Sequence, residues 1–157
     1  LTHAMGDENA RVRAVAATSL GRLGIRENHP LLRALTRDAS LQVRASAVEG
    51  LLRLGDVSAV ELAADLAKHP DPSIRAAAAH TLSATSDKQA VAILQTLLQD
   101  QQPQPRLAAV KALGKSGAPV TPLLKQGLQD SDVAIRLAAA GSLLQQLRRP
   151  TTAPKAR

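Results

Sequence analysis

The sequence predicts an all-α protein, an α-solenoid of about five two-helix repeats. Three observations lead there. Arginines recur at Arg13, Arg44, Arg75, Arg106 and Arg136, at intervals of 31, 31, 31 and 30 residues. Each has alanine three positions on (Ala16, Ala47, Ala78, Ala109, Ala139) and leucine seven positions on (Leu20, Leu51, Leu82, Leu113, Leu143). The apolar content is mainly alanine and leucine, both strong helix formers, and there is no Phe, Trp or Tyr. A period in this range marks supersecondary units that bury their faces by stacking on one another.

Each unit reads as a first helix, A, and a second helix, B, that carries the arginine. Val12, Val43, Ile74 and Ile135 precede the arginine in four units. With the alanine and leucine they form an i, i+4, i+8 stripe, which is one buried helix face. Leu23 and Leu54 extend it in the first two units, and Gly24, Gly55 and Gly117 then allow a left-handed cap. The B helices are expected over about 9–23, 40–54, 72–84, 104–116 and 132–147. Asp71 before Pro72 offers a capping acid and a proline at the first helical position; Asp38, Ser40, Ser131 and Asp132 offer similar caps. Pro103 and Pro105 are tolerable in a first turn, where the missing N–H has no helical partner.

The A helices fall around 31–35, 60–66, 91–98 and 123–128. Counting back from Arg13 aligns Leu1 with Leu32 and Ala4 with Leu35, so the chain opens inside an A helix. The expectation is that the native protein continues upstream, and that this chain shows an open apolar stack face there through which it could self-associate. The repeats occupy residues 1–147; residues 148–157 lack periodicity and read as a basic disordered tail.

The Asp38–Ala47 and Asp7–Ala16 segments, each running on to Leu-Gly (Leu54-Gly55, Leu23-Gly24), resemble HEAT-type repeats, and the short period resembles the subgroup named for phycobilisome lyases. In such proteins the arginine reaches an aspartate at a repeat junction. The resemblance gives that ladder role to Arg13, Arg44, Arg75 and Arg136, with Asp7, Asp38, Asp71 and Asp130 or Asp132. Arg106 is left without an evident acid. The resemblance further implies a protein-binding scaffold, with assistance in bilin attachment as a minority role.

Little in the chain suggests chemistry. No cysteine is present, which removes disulfides and thiolate metal sites. His3, His29, His69 and His80 form no zinc-type pair with one another. Gly114-Lys115-Ser116 resembles part of a phosphate loop, but Ala109 stands where the first glycine belongs, and the segment lies at a helix end. No serine sits in a nucleophile elbow. No catalytic residue, cofactor or metal is therefore expected, and the protein reads as a non-enzyme. No apolar run spans a membrane and no signal segment is visible, which favours the cytoplasm while leaving the compartment open.

The net charge of +7 is unevenly spread. Residues 148–157 carry four positive charges and no acid, whereas residues 56–147 hold eight bases and eight acids. With no aromatic to stack on a base, nucleic acid is a disfavoured partner, and binding would be limited to the phosphate backbone.

A partner surface can be read from the B helices, opposite their buried stripe. Positions five and nine after each arginine are i, i+4 neighbours: Thr18 and Arg22, Glu49 and Arg53, His80 and Ala84, Lys111 and Lys115, Gly141 and Gln145. This ridge varies between units while the stripe repeats. The sequence thus points to a non-catalytic scaffold or adaptor that binds a protein partner of unknown identity on the B face. An accessory subunit of a bilin chromophore lyase, or a sequence-blind phosphate-backbone binder, are the alternatives.

Overall fold

A computed structural model describes residues 3–148. Its B helices are α1 (Ala10–Leu23), α3 (Leu41–Arg53), α5 (Pro72–Leu82), α7 (Pro103–Lys115) and α9 (Val133–Leu147). The A helices are shorter: α2 (His29–Leu35), α4 (Ala59–Ala67), α6 (Lys88–Leu97) and α8 (Thr121–Gly127). A 3-10 turn, His3–Gly6, stands in the first A position, and another, Arg26–Asn28, leads into α2. No strand occurs among the described residues. Each A helix packs on the B helix that follows it, and each B helix packs on the next, so the units stack as an α-solenoid. The expected tail lies outside the described residues apart from Arg148.

The helix starts follow from their caps. Asn9, Asp71, Asp87 and Asp132 each accept a backbone N–H of the first turn on a side-chain oxygen. Ser40 holds the N-cap position of α3 without a side-chain bond. Pro103 opens α7. Gly24, Gly55 and Gly117 adopt φ of 68°, 86° and 75°, the left-handed conformation that ends a helix at no steric cost to glycine.

The repeating stripe forms the core. Ala16, Leu20, Val43, Ala47, Leu51, Ala78, Leu82, Ala109, Leu113, Ile135 and Ala139 are all buried. Val12 and Leu23 depart from it. Both are exposed, Val12 by 38%, because no described element covers that side of α1. Close helix contacts occur at two glycines. A Cβ at Gly21 would lie 2.3 Å from the Gly50 Cα, and one at Gly114 would lie 2.4 Å from the Ser142 Oγ. Position eight of one B helix thus abuts position six of the next. Gly114 is a packing residue, which accounts for its place in the phosphate-loop-like segment.

The periodic arginines repeat one geometry. In every unit Nη1 donates to the carbonyls six and five residues earlier: Asp7 and Glu8 for Arg13, Asp38 and Ala39 for Arg44, His69 and Pro70 for Arg75, Asp100 and Gln101 for Arg106, Asp130 and Ser131 for Arg136. In three units Nε and Nη2 also clasp an aspartate of the next unit's turn. Arg13 holds Asp38 at 2.8 and 2.8 Å, Arg75 holds Asp100 at 2.6 and 2.8 Å, and Arg106 holds Asp130 at 2.8 and 3.1 Å. This two-point match of guanidinium to carboxylate fixes direction as well as distance.

The ladder therefore differs from the one expected. The rung aspartate sits six residues before an arginine and serves the arginine of the preceding unit. Asp38 and Asp130 are such rungs; Asp100, unassigned from sequence, is another. Asp71 and Asp132 lie four before their arginines, where they cap α5 and α9 instead. Arg106, expected to lack an acid, has Asp130. Among the described residues no carboxylate clasps Arg44, because His69 occupies the rung position; its Nδ1 accepts the Asp71 N–H, the turn contact an aspartate Oδ1 makes elsewhere. Among the described residues, the Asp7 side chain accepts the Asn9 N–H, and Arg136 makes its two carbonyl bonds without a carboxylate clasp.

Candidate functional site

The B-helix ridge is divided by two grooves. One, of about 280 Å³, runs between α3 and α5 and is lined by Leu41, Gln42, Ala45, Ser46, Glu49, Ile74, Ala77, His80 and Thr81. The other, of about 290 Å³, runs between α5 and α7 and is lined by Ala76, His80, Ser83, Gln104, Leu107, Ala108, Lys111, Ala112 and Lys115. Small residues cause both: Ala45, Ala77, Ala76 and Ala108 stand where larger side chains would fill the seam between helices. His80 belongs to both grooves and forms the partition between them.

Of the residues singled out from sequence, the structure brings together Glu49, Arg53, His80, Lys111 and Lys115. Thr18, Arg22 and Gln145 line neither groove; Thr18 is half-buried, and Arg22 and Gln145 are exposed. Glu49 departs most from a solvent-facing ridge position. It is only 6% exposed, because α5 leans over it. Arg53, one helical turn on, donates to its Oε1 from Nη2 at 2.7 Å and from Nε at 3.2 Å. His80 Nδ1 lies 3.7 Å from Oε2, an ion pair whenever the imidazole is protonated. Glu49 is thus an anion at the base of a groove, and Arg53 is a paired residue.

Leu107 and Gln104, which line the α5–α7 groove, were missed. Leu107 sits one position after an arginine, so Leu107, Lys111 and Lys115 make an i, i+4, i+8 row. Extending the ridge one turn back would have found it.

A second polar cluster lies at the junction of α2 and α4. His29 Nε2 is 2.8 Å from the Asp56 Oδ2, Arg33 Nη2 is 3.4 Å from the same oxygen, and the Ser58 Oγ donates to the Asp56 Oδ1 at 2.6 Å. Burial works against the Asp56 charge, but hydrogen bonds from Ser58 and His29 and the nearby Arg33 outweigh it and hold the carboxyl below its usual range. Serine, histidine and aspartate are all present, but the hydroxyl donates to the carboxylate and not to the imidazole. The order that activates a nucleophile is absent, and the cluster is a junction clasp. No group of His, Asp or Glu among the described residues could hold a metal ion. No helix among them is long and apolar enough to cross a membrane.

No curated protein matches the sequence. Solved structures do. A chain in the complex of CpcE and CpcF of phycocyanin lyase from a Nostoc species is 26% identical over 95% of this chain and 64% of its own, with a TM-score of 0.64. The Escherichia coli protein YibA is 17% identical, over 96% and 59%, also at 0.64. Human deoxyhypusine hydroxylase is 15% identical, over 94% and 73%, at 0.53. The last two likenesses show the fold alone. The chain spans less than two thirds of the Nostoc and Escherichia coli proteins. The HEAT-repeat family pattern matches residues 28–105 and 93–156. With the stacked helix pairs described above, that coverage makes the chain a member of the HEAT-repeat family.

Proposed function

We propose that this HEAT-repeat stack is a non-catalytic docking module that holds a protein partner across the B-helix face. The observation that carries the reading is the pair of adjoining grooves that share His80. Their alanine floors accept small or aliphatic side chains, and Lys111 supplies positive charge along the edge of the α5–α7 groove. Such a surface suits a partner segment with apolar anchors and flanking acids. The partner's charges would steer its approach, and the grooves would set its register.

The test is comparative capture. The whole chain and a Leu107→Lys/Lys111→Glu variant are each presented to extract from the source cells, beside a Gln129→Glu control. A protein retained by the parent and the control but lost by the groove variant supports the reading. Retention by all three, or loss by all three, counts against it.

A second reading is favoured by one observation, the likeness to the CpcE–CpcF phycocyanin lyase complex. On that reading the module is one part of a lyase assembly that attaches a bilin to a biliprotein subunit, with the grooves holding the acceptor protein. Incubating the chain with an apo-phycocyanin subunit and free bilin, with and without a second lyase subunit, tests it. A covalent visible-absorbing adduct that requires this chain supports the assignment; its absence in all mixtures removes it.

A further inference from the structure

We infer that the groove between α3 and α5 receives a basic side chain, a lysine or arginine of a protein partner, with its charged head on the Glu49 Oε2. The inference rests on the docking reading, which supplies the partner. Glu49 is 6% exposed, a burial that carboxylates reach only when they are paired. Its two oxygens are unequally served. Oε1 accepts both Arg53 hydrogen bonds. Oε2 has the His80 Nδ1 at 3.7 Å, beyond hydrogen-bond length. Among the described residues Oε2 therefore accepts no hydrogen bond, although each carboxylate oxygen can accept about two. Nor is it sealed from solvent. Among the described residues that are not themselves exposed, Asn28 Nδ2 is the one sealed side-chain polar atom without a partner. Glu49 thus offers the groove an anionic oxygen with its acceptor capacity unused.

The groove also suits the rest of such a side chain. Ala45 and Ala77 floor it, and Leu41 and Ile74 add apolar wall. Lysine and arginine carry an aliphatic stem that packs on such surface and a head that keeps polar partners. Ser46 and Gln42, one and two turns before Glu49 on the same face of α3, line the groove with further acceptor oxygens. An acid here would meet the Glu49 carboxylate, and a neutral donor would gain less than a cation at a site drawn out of water. Arg53 is the opposing charge, but its side chain is 36% exposed, where solvent and salt weaken its repulsion. The His80 ring makes no hydrogen bond that entry would break. The α5–α7 groove, with Lys111 at its edge, has the opposite preference. A segment crossing both would set a base on one side of His80 and an acid on the other, which fixes its direction along the face.

Methyl and amide NMR spectra of the whole chain, titrated with Nα-acetyl-lysine methylamide, test the inference. Saturable shifts at Ala45, Ile74 and Ala77 are expected, with a dissociation constant of about 1–10 mM. The blocked norleucine analogue keeps the stem and lacks the charge; it should bind roughly tenfold more weakly or worse. Blocked glutamate should leave these signals unmoved. Glu49→Gln should erase the preference for lysine over norleucine. Ala77→Leu, which fills the groove and leaves the carboxylate, should abolish binding of both. Circular dichroism checks that the variants keep the fold, and the lysine–norleucine comparison on the parent chain needs no variant. No saturation by about 100 mM, equal affinity for the two probes, or a lysine preference that survives Glu49→Gln would overturn the inference. A negative titration leaves the docking reading standing on the α5–α7 groove, and a failed capture leaves a positive titration intact, so the two fail separately.

Discussion

Arg75 and Asp100, 25 residues apart in sequence, meet through two parallel hydrogen bonds of 2.6 and 2.8 Å across the junction of α5 and α7. The same guanidinium holds the His69 and Pro70 carbonyls, so a single side chain joins three stretches of backbone. Removing it should loosen one junction on both sides. By thermal melting, Arg75→Ala and Arg106→Ala are expected to destabilise more than Arg136→Ala, which loses only the carbonyl bonds. For Arg106→Ala the loss should be about 1–2 kcal/mol, the scale of a charge-assisted pair partly open to water. Equal melting temperatures for Arg106→Ala and Arg136→Ala would deny the rungs a structural role.

Acid should open the ladder. The clasping arginines hold the Asp38, Asp100 and Asp130 carboxyls below their ordinary value of 3.8, helped by backbone N–H groups. A depressed folded-state value means that the charged form is favoured by folding. The contribution is fully present above about pH 4 and is lost as pH falls through the lowered values. Melting temperature followed from pH 7 to pH 2 should therefore drop steeply at the acid end. Replacing all three aspartates with asparagine should lower stability at pH 7 and flatten that drop; an unchanged acid slope would place the titrating groups elsewhere.

Two glycines in B helices should respond in opposite directions. At Gly21 an added methyl would lie 2.3 Å from the Gly50 backbone, so Gly21→Ala must push α1 from α3, at a cost of about 1–3 kcal/mol. At Gly141 nothing lies within 4 Å of the added carbon, and Gly141→Ala should stabilise α9 by about 0.5–1 kcal/mol through helix propensity alone. Chemical denaturation of both variants checks the pair, and a shift of the same sign in each would contradict the packing at the α1–α3 contact.

Any affinity for DNA or RNA should be weak, blind to sequence and strongly salt-dependent, because only phosphate contacts are on offer. Removing residues 148–157 deletes four positive charges and should reduce it sharply. Fluorescence anisotropy with two unrelated duplexes at rising salt measures this. Tight, sequence-selective binding by residues 1–147 at physiological salt would refute the protein-docking reading.

Much of the architecture was legible because it is periodic. The alanine and leucine that follow each arginine mark the buried face of every B helix, and Gly24, Gly55 and Gly117 mark left-handed ends that few other residues tolerate. The rungs were less legible. Asp38 serves Arg13 and not Arg44, and only the stacking of one turn on the next arginine settles that direction. Asp100 was nonetheless readable, since it stands six before Arg106 as Asp38 stands six before Arg44. Glu49 was not. Its spacing puts it beside Arg53 on the outer face, and its burial depends on how far α5 tilts across α3, a tertiary quantity no local pattern encodes. Gly21 against Gly50 was hidden for the same reason: a helical glycine shows its purpose only when its neighbour is known.

His69 stands where the second junction would carry its aspartate, so α3 and α5 lack the arginine–aspartate clasp and meet through the Thr81 hydroxyl, which donates to the Ala45 carbonyl at 3.4 Å, through Glu49 beside His80, and through Ala45, Leu66 and Ala78, a small apolar cluster apart from the main core. Mechanically, the superhelix then has one compliant joint between two stiffer arms. Curvature imposed on the molecule will concentrate at that joint and not spread evenly along the stack. The joint also underlies the groove floored by Ala45 and Ala77, so bending at this junction should widen or narrow that groove.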